Sequence, residues 1–174
     1  MYATFYSNPF SLIATDTATI LAAKTSIDYA AYALDDSSLT QALLTVAAAG
    51  VKIRLYLDRT ELEASARGDA TLARCPLGTL LGHPNIDIKV KASSILMHLK
   101  SYLVDGSTLR DGSANFSPEG EVKQDNSLIL SDDKTAVAAF AAKFDSMWNR
   151  PDNMTVAEAV ASHNVFTRPA HHSH

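Results

Sequence analysis

The chain has 174 residues, 47% of them hydrophobic and 20% charged, a composition that fits one globular domain with a sizeable core. It has no apolar run of about eighteen residues to cross a membrane, and "MYATFYSNPF" lacks the basic and apolar regions of a secretory signal, so a cytoplasmic chain is expected, or a periplasmic or secreted one if a signal was removed. The net charge of −4 excludes a generally basic surface wrapped in nucleic acid, though not a local basic groove, and the lone Cys75 excludes an internal disulfide.

In chain order, Ala3 to Ser7 reads as a strand closed by Asn8-Pro9, and a helix follows around Thr15 to Lys24. Ser26 to Leu34 has the apolar content of a buried strand. Ser38 with Gln41 predicts a capping box for the next helix, which ends at Gly50. Val51 to Asp58 alternates, with Lys52, Arg54 and Tyr56 on one face and Val51, Ile53, Leu55 and Leu57 on the other. Strand, helix and strand in that order predict a parallel pair with a right-handed crossover.

Glu61 to Pro84 reads as a charged helical piece and a surface loop, and Ile86 to Val90 as a strand. Two strands, about Ile95 to Val104 and Thr108 to Ser113, enclose the turn signal Asp105-Gly106-Ser107. "NSLIL" is the last strand. The final helix carries Val137, Phe140, Ala141, Phe144 and Trp148 as a core stripe. The expectation is an α/β fold: a mixed, mostly parallel sheet flanked by helices on both faces. Residues 1–150 are expected to form the domain and 151–174 a partly disordered tail ending in "RPAHHSH".

The hairpin concentrates polar chemistry. Residues two apart on a strand share a face, so His98 lies with Lys100 and Ser113 with Asn115. A Gly106-Ser107 turn would pair His98 with Asn115, an Asp105-Gly106 turn His98 with Ser113, and in both registers the four side chains share one face. Lys100 supplies positive charge, Ser113 and Asn115 supply donors for phosphate oxygens, and an imidazole can be nucleophile or proton donor near neutral pH. No cluster of acidic and histidine residues has metal-ligand spacing, so neither metal nor cofactor is expected. Taken alone, His98 would more often be a surface residue of an edge hairpin.

The stretch "HLKSYLVDGSTLRDGSAN" matches H-x-K-x4-D-x6-G-[SG]-x-N and so resembles the phospholipase D superfamily. With one motif in the chain, it is similar to the small single-motif bacterial endonucleases of that superfamily. The resemblance implies a single phospholipase D-like repeat acting as a homodimer, with two motifs meeting at the two-fold axis. It also implies a metal-independent phosphodiesterase in which one His98 forms a phosphohistidine and the other protonates the leaving group. Lys100 and Asn115 would hold the phosphate, Ser113 would assist, and Asp105 and Gly112 would be structural. The glutamate that family members place after the motif to orient the histidine is matched here by Asp125, or by Glu121 if the loop folds back.

Nucleic acid is the first expected substrate, with Lys52, Arg54, Arg59, Lys89, Lys91 and Arg110 as candidates for a groove. A phospholipid is the second, and a weakly active binding or dimerisation module is the third reading.

Overall fold

The computed structural model describes residues 1–67 and 72–167. Among these, seven strands form one sheet: β1 (Tyr2–Tyr6), β2 (Ser26–Ala31), β3 (Lys52–Leu57), β4 (Ile86–Val90), β5 (Lys100–Val104), β6 (Thr108–Gly112) and β7 (Ser127–Ser131), in the order β1-β7-β6-β5-β2-β3-β4. The α-helices that accompany it are α1 (Ile13–Leu21), α2 (Ser37–Ala48), α3 (Arg59–Arg67), α4 (Lys134–Trp148) and α5 (Val156–Thr167).

The sheet is mixed, as expected, but it is not mostly parallel. The pairs β2–β3 and β3–β4 run parallel, whereas β1–β7, β7–β6, β6–β5 and β5–β2 are antiparallel. Parallel neighbours need a long crossover, usually helical. The chain supplies such crossovers through α2 and α3, then returns from β4 by an irregular segment and a hairpin. The parallel β2–α2–β3 unit is the one expected. Its helix is capped differently from the expected box: Asp36 is the cap and accepts from the backbone N–H groups of Ser38 and Leu39.

Both faces of the sheet are covered. One core joins Ile27, Tyr29, Ile53 and Leu55 to Ile20, Leu39, Leu43 and Val46 of α1 and α2, with Val156 and Ala159 of α5. The other joins Tyr56, Leu103 and Leu109 to Phe140, Phe144 and Met147 of α4. Burying each of these large apolar side chains contributes about 1.5–3 kcal/mol. The expected α4 stripe holds, with Phe144 fully buried and Met147 added to it.

The described part of residues 151–174 is not a tail. Met154 exchanges backbone hydrogen bonds with Val90, and the Arg59 guanidinium donates to Ser162 Oγ, so α5 is fixed against the β4 side of the domain. The "RPAHHSH" segment lies outside the described residues. Among the described residues, no helix is long and apolar enough to cross a membrane.

Candidate active site

The hairpin closes with Val104 opposite Thr108, Leu103 opposite Leu109 and Tyr102 opposite Arg110. Its connection is therefore the three residues Asp105, Gly106 and Ser107, and neither expected register forms. Asp105 and Gly106 both adopt the left-handed region, at φ 54° and 65°, which favours Asp and Gly at these positions. Extending the observed register sets Lys100 against Gly112, and Ser113 falls beyond the strand.

Asp105 faces the backbone at the start of β2. Its carboxylate accepts from the backbone N–H groups of Lys24, Thr25 and Ser26 and from Thr25 Oγ1, tying the hairpin tip to the start of β2. Burial alone would raise its pKa, but these donors hold it below the usual aspartate value.

The strand expected from Ile95 begins only at Lys100. The preceding segment is held by Asp58, whose Oδ2 accepts from Met97 N–H at 2.7 Å, and by Leu99, whose carbonyl accepts from Tyr32 N–H at 3.0 Å. Alternation survives there: Met97, Leu99 and Leu103 face the α4 core. His98 is exposed, and its ring stands nearly edge-on to Tyr32, with centroids 4.5 Å apart. Lys100 Nζ lies 4.8 Å from the centre of the same Tyr32 ring and donates to the His98 carbonyl at 2.7 Å. Lys100 is only 6% exposed. Burial lowers its ammonium pKa from the ordinary lysine value, against the opposing pull of Glu61. Burial, and then a hydrogen bond to Glu61, raise that of the Tyr32 phenol.

A buried cluster lies behind this pair. The fully buried Arg110 guanidinium meets Asp16 through two nitrogens, at 3.0 and 2.7 Å, and Glu121 at 3.2 Å. Its Nη1 also donates to the carbonyls of Lys100 (2.7 Å) and Ala114 (3.2 Å), so one side chain clamps the backbone at Lys100 and beside Asn115. Tyr102 donates to Asp16 Oδ1 at 2.6 Å, and Phe116 lies under the guanidinium at 4.4 Å. Burial, and then the nearby Asp16 carboxylate, push the Glu121 carboxyl up to about 9. Arg110 is therefore no groove residue, and Glu121 is turned toward Arg110 rather than His98.

Asn115 is partly exposed, and its Oδ1 is buried without a hydrogen-bond partner. A buried unsatisfied acceptor is uncommon and is often found where a ligand or catalytic group acts. The segment after it packs tightly: a Cβ on Gly120 would sit 2.5 Å from the Asn115 carbonyl oxygen.

Ser113 and Asp125 go elsewhere. Gly112, at φ 142°, turns the chain at the end of β6. Ser113 Oγ then donates to Asn126 Oδ1 at 2.9 Å and accepts from Ser127 N–H. Asp125 Oδ1 accepts from Asn8 Nδ2 at 3.1 Å and is not bonded to His98. Both line a hollow with Asn8 and Asn126 that neither His98 nor Lys100 lines. The side chain facing Ser113 is thus Asn126, one residue beyond the expected carboxylate, because Asp125 precedes the strand and points toward Asn8.

The remaining expected groove cations are largely engaged. Arg54 pairs with Asp28 and Asp145, Arg59 with Glu63, Lys52 with Asn85, and Lys89 with the Trp148 carbonyl. Lys91 lies in a cleft with His98. Among the described residues, no group of three or more His, Cys, Asp and Glu side chains is placed to hold a metal ion.

The fold is shared with known proteins. The phospholipase D family member Nuc from Salmonella typhimurium superposes with a TM-score of 0.72 at 22% identity, over 88% of this chain and 97% of that one. NucT from Helicobacter pylori does so with a TM-score of 0.69 at 18% identity, over 85% and 96%. In sequence, the mitochondrial cardiolipin hydrolase of Xenopus tropicalis is 24% identical over 133 residues, 76% of this chain and 59% of that protein, so the chain spans little more than half of this relative. Residues 17–148, which include the whole of the His98 to Asn115 motif, match the family described as "Cardiolipin synthase, PLD-like domain", and the chain belongs to that family of phospholipase D-like proteins.

Proposed function

We propose that this protein is a phosphodiesterase that cleaves nucleic-acid phosphodiester bonds through a phosphohistidine at His98, working as a homodimer. The observation that carries this reading is the convergence of an exposed imidazole and a shielded ammonium on the Tyr32 ring, with the Asn115 backbone drawn to Lys100 by Arg110. A phosphodiester carries one negative charge and resists attack by water. A shielded cation offsets that charge more strongly than a solvated one.

In the proposed sequence, the His98 ring nitrogen attacks phosphorus, the P–O bond to the leaving group breaks, and the leaving oxygen takes a proton from His98 of the second copy. Water then attacks phosphorus, giving its proton to that second imidazole, and the N–P bond breaks. Lys100 and Asn115 hold the non-bridging oxygens. One chain brings one imidazole, so an isologous dimer supplies the acid–base partner.

A second reading has one specific support. Ile95 and Leu96, just before His98, are 74% and 44% exposed, an apolar tip suited to a lipid surface. The test is incubation of wild type and His98→Ala with a single-stranded oligonucleotide, plasmid DNA and cardiolipin vesicles, all in EDTA, with sedimentation of the same samples. Cleavage of DNA by a wild-type dimer and none by His98→Ala supports the proposal. Hydrolysis of cardiolipin to phosphatidic acid and phosphatidylglycerol without DNA cleavage moves the substrate to the lipid, and an active monomer refutes the shared site.

A further inference from the structure

His98 opens on one side into a cleft of about 280 Å³ whose wall carries three cations, Lys91, Lys143 and Arg150, over a floor that includes Met97 and Met147. Among the described residues, no carboxylate lines it. Two of the cations bond to neutral oxygens: Lys91 Nζ donates to the Leu96 carbonyl at 3.3 Å and Arg150 Nη1 to the Tyr56 hydroxyl at 3.3 Å. Two acids outside the cleft lining attract Lys91: Asp58, which is buried and commits both oxygens to the backbone N–H groups of Glu61 and Met97, and, more weakly, Asp152. Burial lowers the Lys91 ammonium pKa, and repulsion from Arg150 and Lys143 lowers it further. Three like charges converging on a concave surface without an acid among them create a field that a bound anion relieves.

The cleft begins at the nucleophile, so an anion held there belongs to the molecule being cleaved. We propose that Lys91, Lys143 and Arg150 form a subsite for the phosphate next to the scissile one in a nucleic-acid strand, with the intervening nucleoside against Met97 and Met147. This assignment rests on the nuclease reading of the His98 site and extends it: a substrate with a flanking phosphate is preferred over a simple diester. The three cations come from the segment before His98, from α4 and from the chain just after it, so the strand would run from the hairpin toward the α4 face.

The test uses Lys91→Gln/Lys143→Gln and Lys143→Gln alone, the latter on an exposed helix position that keeps the experiment decisive if the double variant fails to fold. Binding of a fluorescent single-stranded oligonucleotide is measured against salt in a His98→Ala background. The slope of log K against log salt should become shallower by about 0.7 for each phosphate no longer neutralised. With His98 intact, the preference in kcat/KM for the oligonucleotide over bis(p-nitrophenyl) phosphate should fall about tenfold or more. If wild type cleaves the oligonucleotide but slope and preference are unchanged in the variants, the subsite is refuted and the nuclease reading stands. If wild type turns over the chromogenic diester but no oligonucleotide, while the variants lose hydrolysis of cardiolipin vesicles to phosphatidic acid, both nucleic-acid assignments fail.

Discussion

Replacing Arg110 by Met is expected to cost about 3–5 kcal/mol of folding stability, because it removes the cation of a buried cluster and leaves the Asp16 carboxylate uncompensated. Arg110 is fully buried, donates to Asp16, Glu121, Lys100 and Ala114, and stacks on Phe116. Met keeps much of the volume and none of the charge. With a urea m-value of about 2 kcal/mol/M, the destabilisation moves the unfolding midpoint down by about 2 M. Glu121→Gln is the control. The Glu121 carboxyl, pushed up to about 9 chiefly by burial, holds its proton at neutral pH, so Gln installs a neutral group that needs no protonation and is expected neutral or stabilising at pH 7. The sign with pH follows from the same shift. A folded-state pKa raised above the ordinary 4.5 gives a contribution that is full below pH 4.5, declines as pH rises, and is gone above about 9. Between pH 5.5 and 8.5, the urea midpoint should therefore fall further for wild type than for Glu121→Gln. A midpoint drop in Arg110→Met under about 0.5 M, or a pH effect of opposite sign, would refute the reasoning.

Other substitutions probe the same framework. Asp105→Ala removes an acceptor of four donors and should cost about 1–3 kcal/mol at pH 7. Because the folded Asp105 pKa is depressed, that advantage exists above the ordinary aspartate value and is lost as pH falls through the folded one, so thermal melts of wild type and variant should converge in acid. Gly120→Ala drives a Cβ against the Asn115 backbone; steady-state kinetics should show a fall in kcat/KM alongside about 1–3 kcal/mol of destabilisation by denaturant. Tyr32→Ala removes the ring shared by His98 and Lys100, and about 10²-fold should be lost from kcat, while Tyr32→Phe, which keeps the ring, should stay within a few-fold of wild type. The lowered Lys100 pKa places the alkaline limb of the pH–rate profile below the ordinary lysine value of 10.5; a limb at or above it would contradict a role for charged Lys100.

Local periodicity is what the sequence makes legible. The alternation of Val51 to Asp58, the β2–α2–β3 unit and the α4 stripe each state their own geometry within a few residues, and the structure keeps them. Pairings that depend on distant residues are not written in that way. Nothing in Ala3 to Ser7 says that β1 lies against β7, and that pairing with its antiparallel neighbours overturns the expected direction of the sheet. The hairpin connection is one residue longer than either expected register allows, since Asp105 and Gly106 are both left-handed and Ser107 completes it.

The buried cluster escapes a reading of the sequence for a different reason: single charged residues are placed on the surface by default. Two signals are nevertheless present. Asp16 lies four residues from both Leu12 and Ile20, so it occupies a core-facing helical row, and all three are buried. Arg110 shares its strand face with Gly112 and, across the hairpin, lies opposite Tyr102, two residues from Lys100. A carboxylate in an apolar row and an arginine on the buried side of a strand each require a partner, and each is the other's. The motif residues can be picked out from spacing alone, but what holds Lys100 near Asn115 is this pair. Substitutions at Asp16 and Arg110 should therefore couple in a double-mutant cycle, whereas Asp125, bonded to Asn8, should couple to neither.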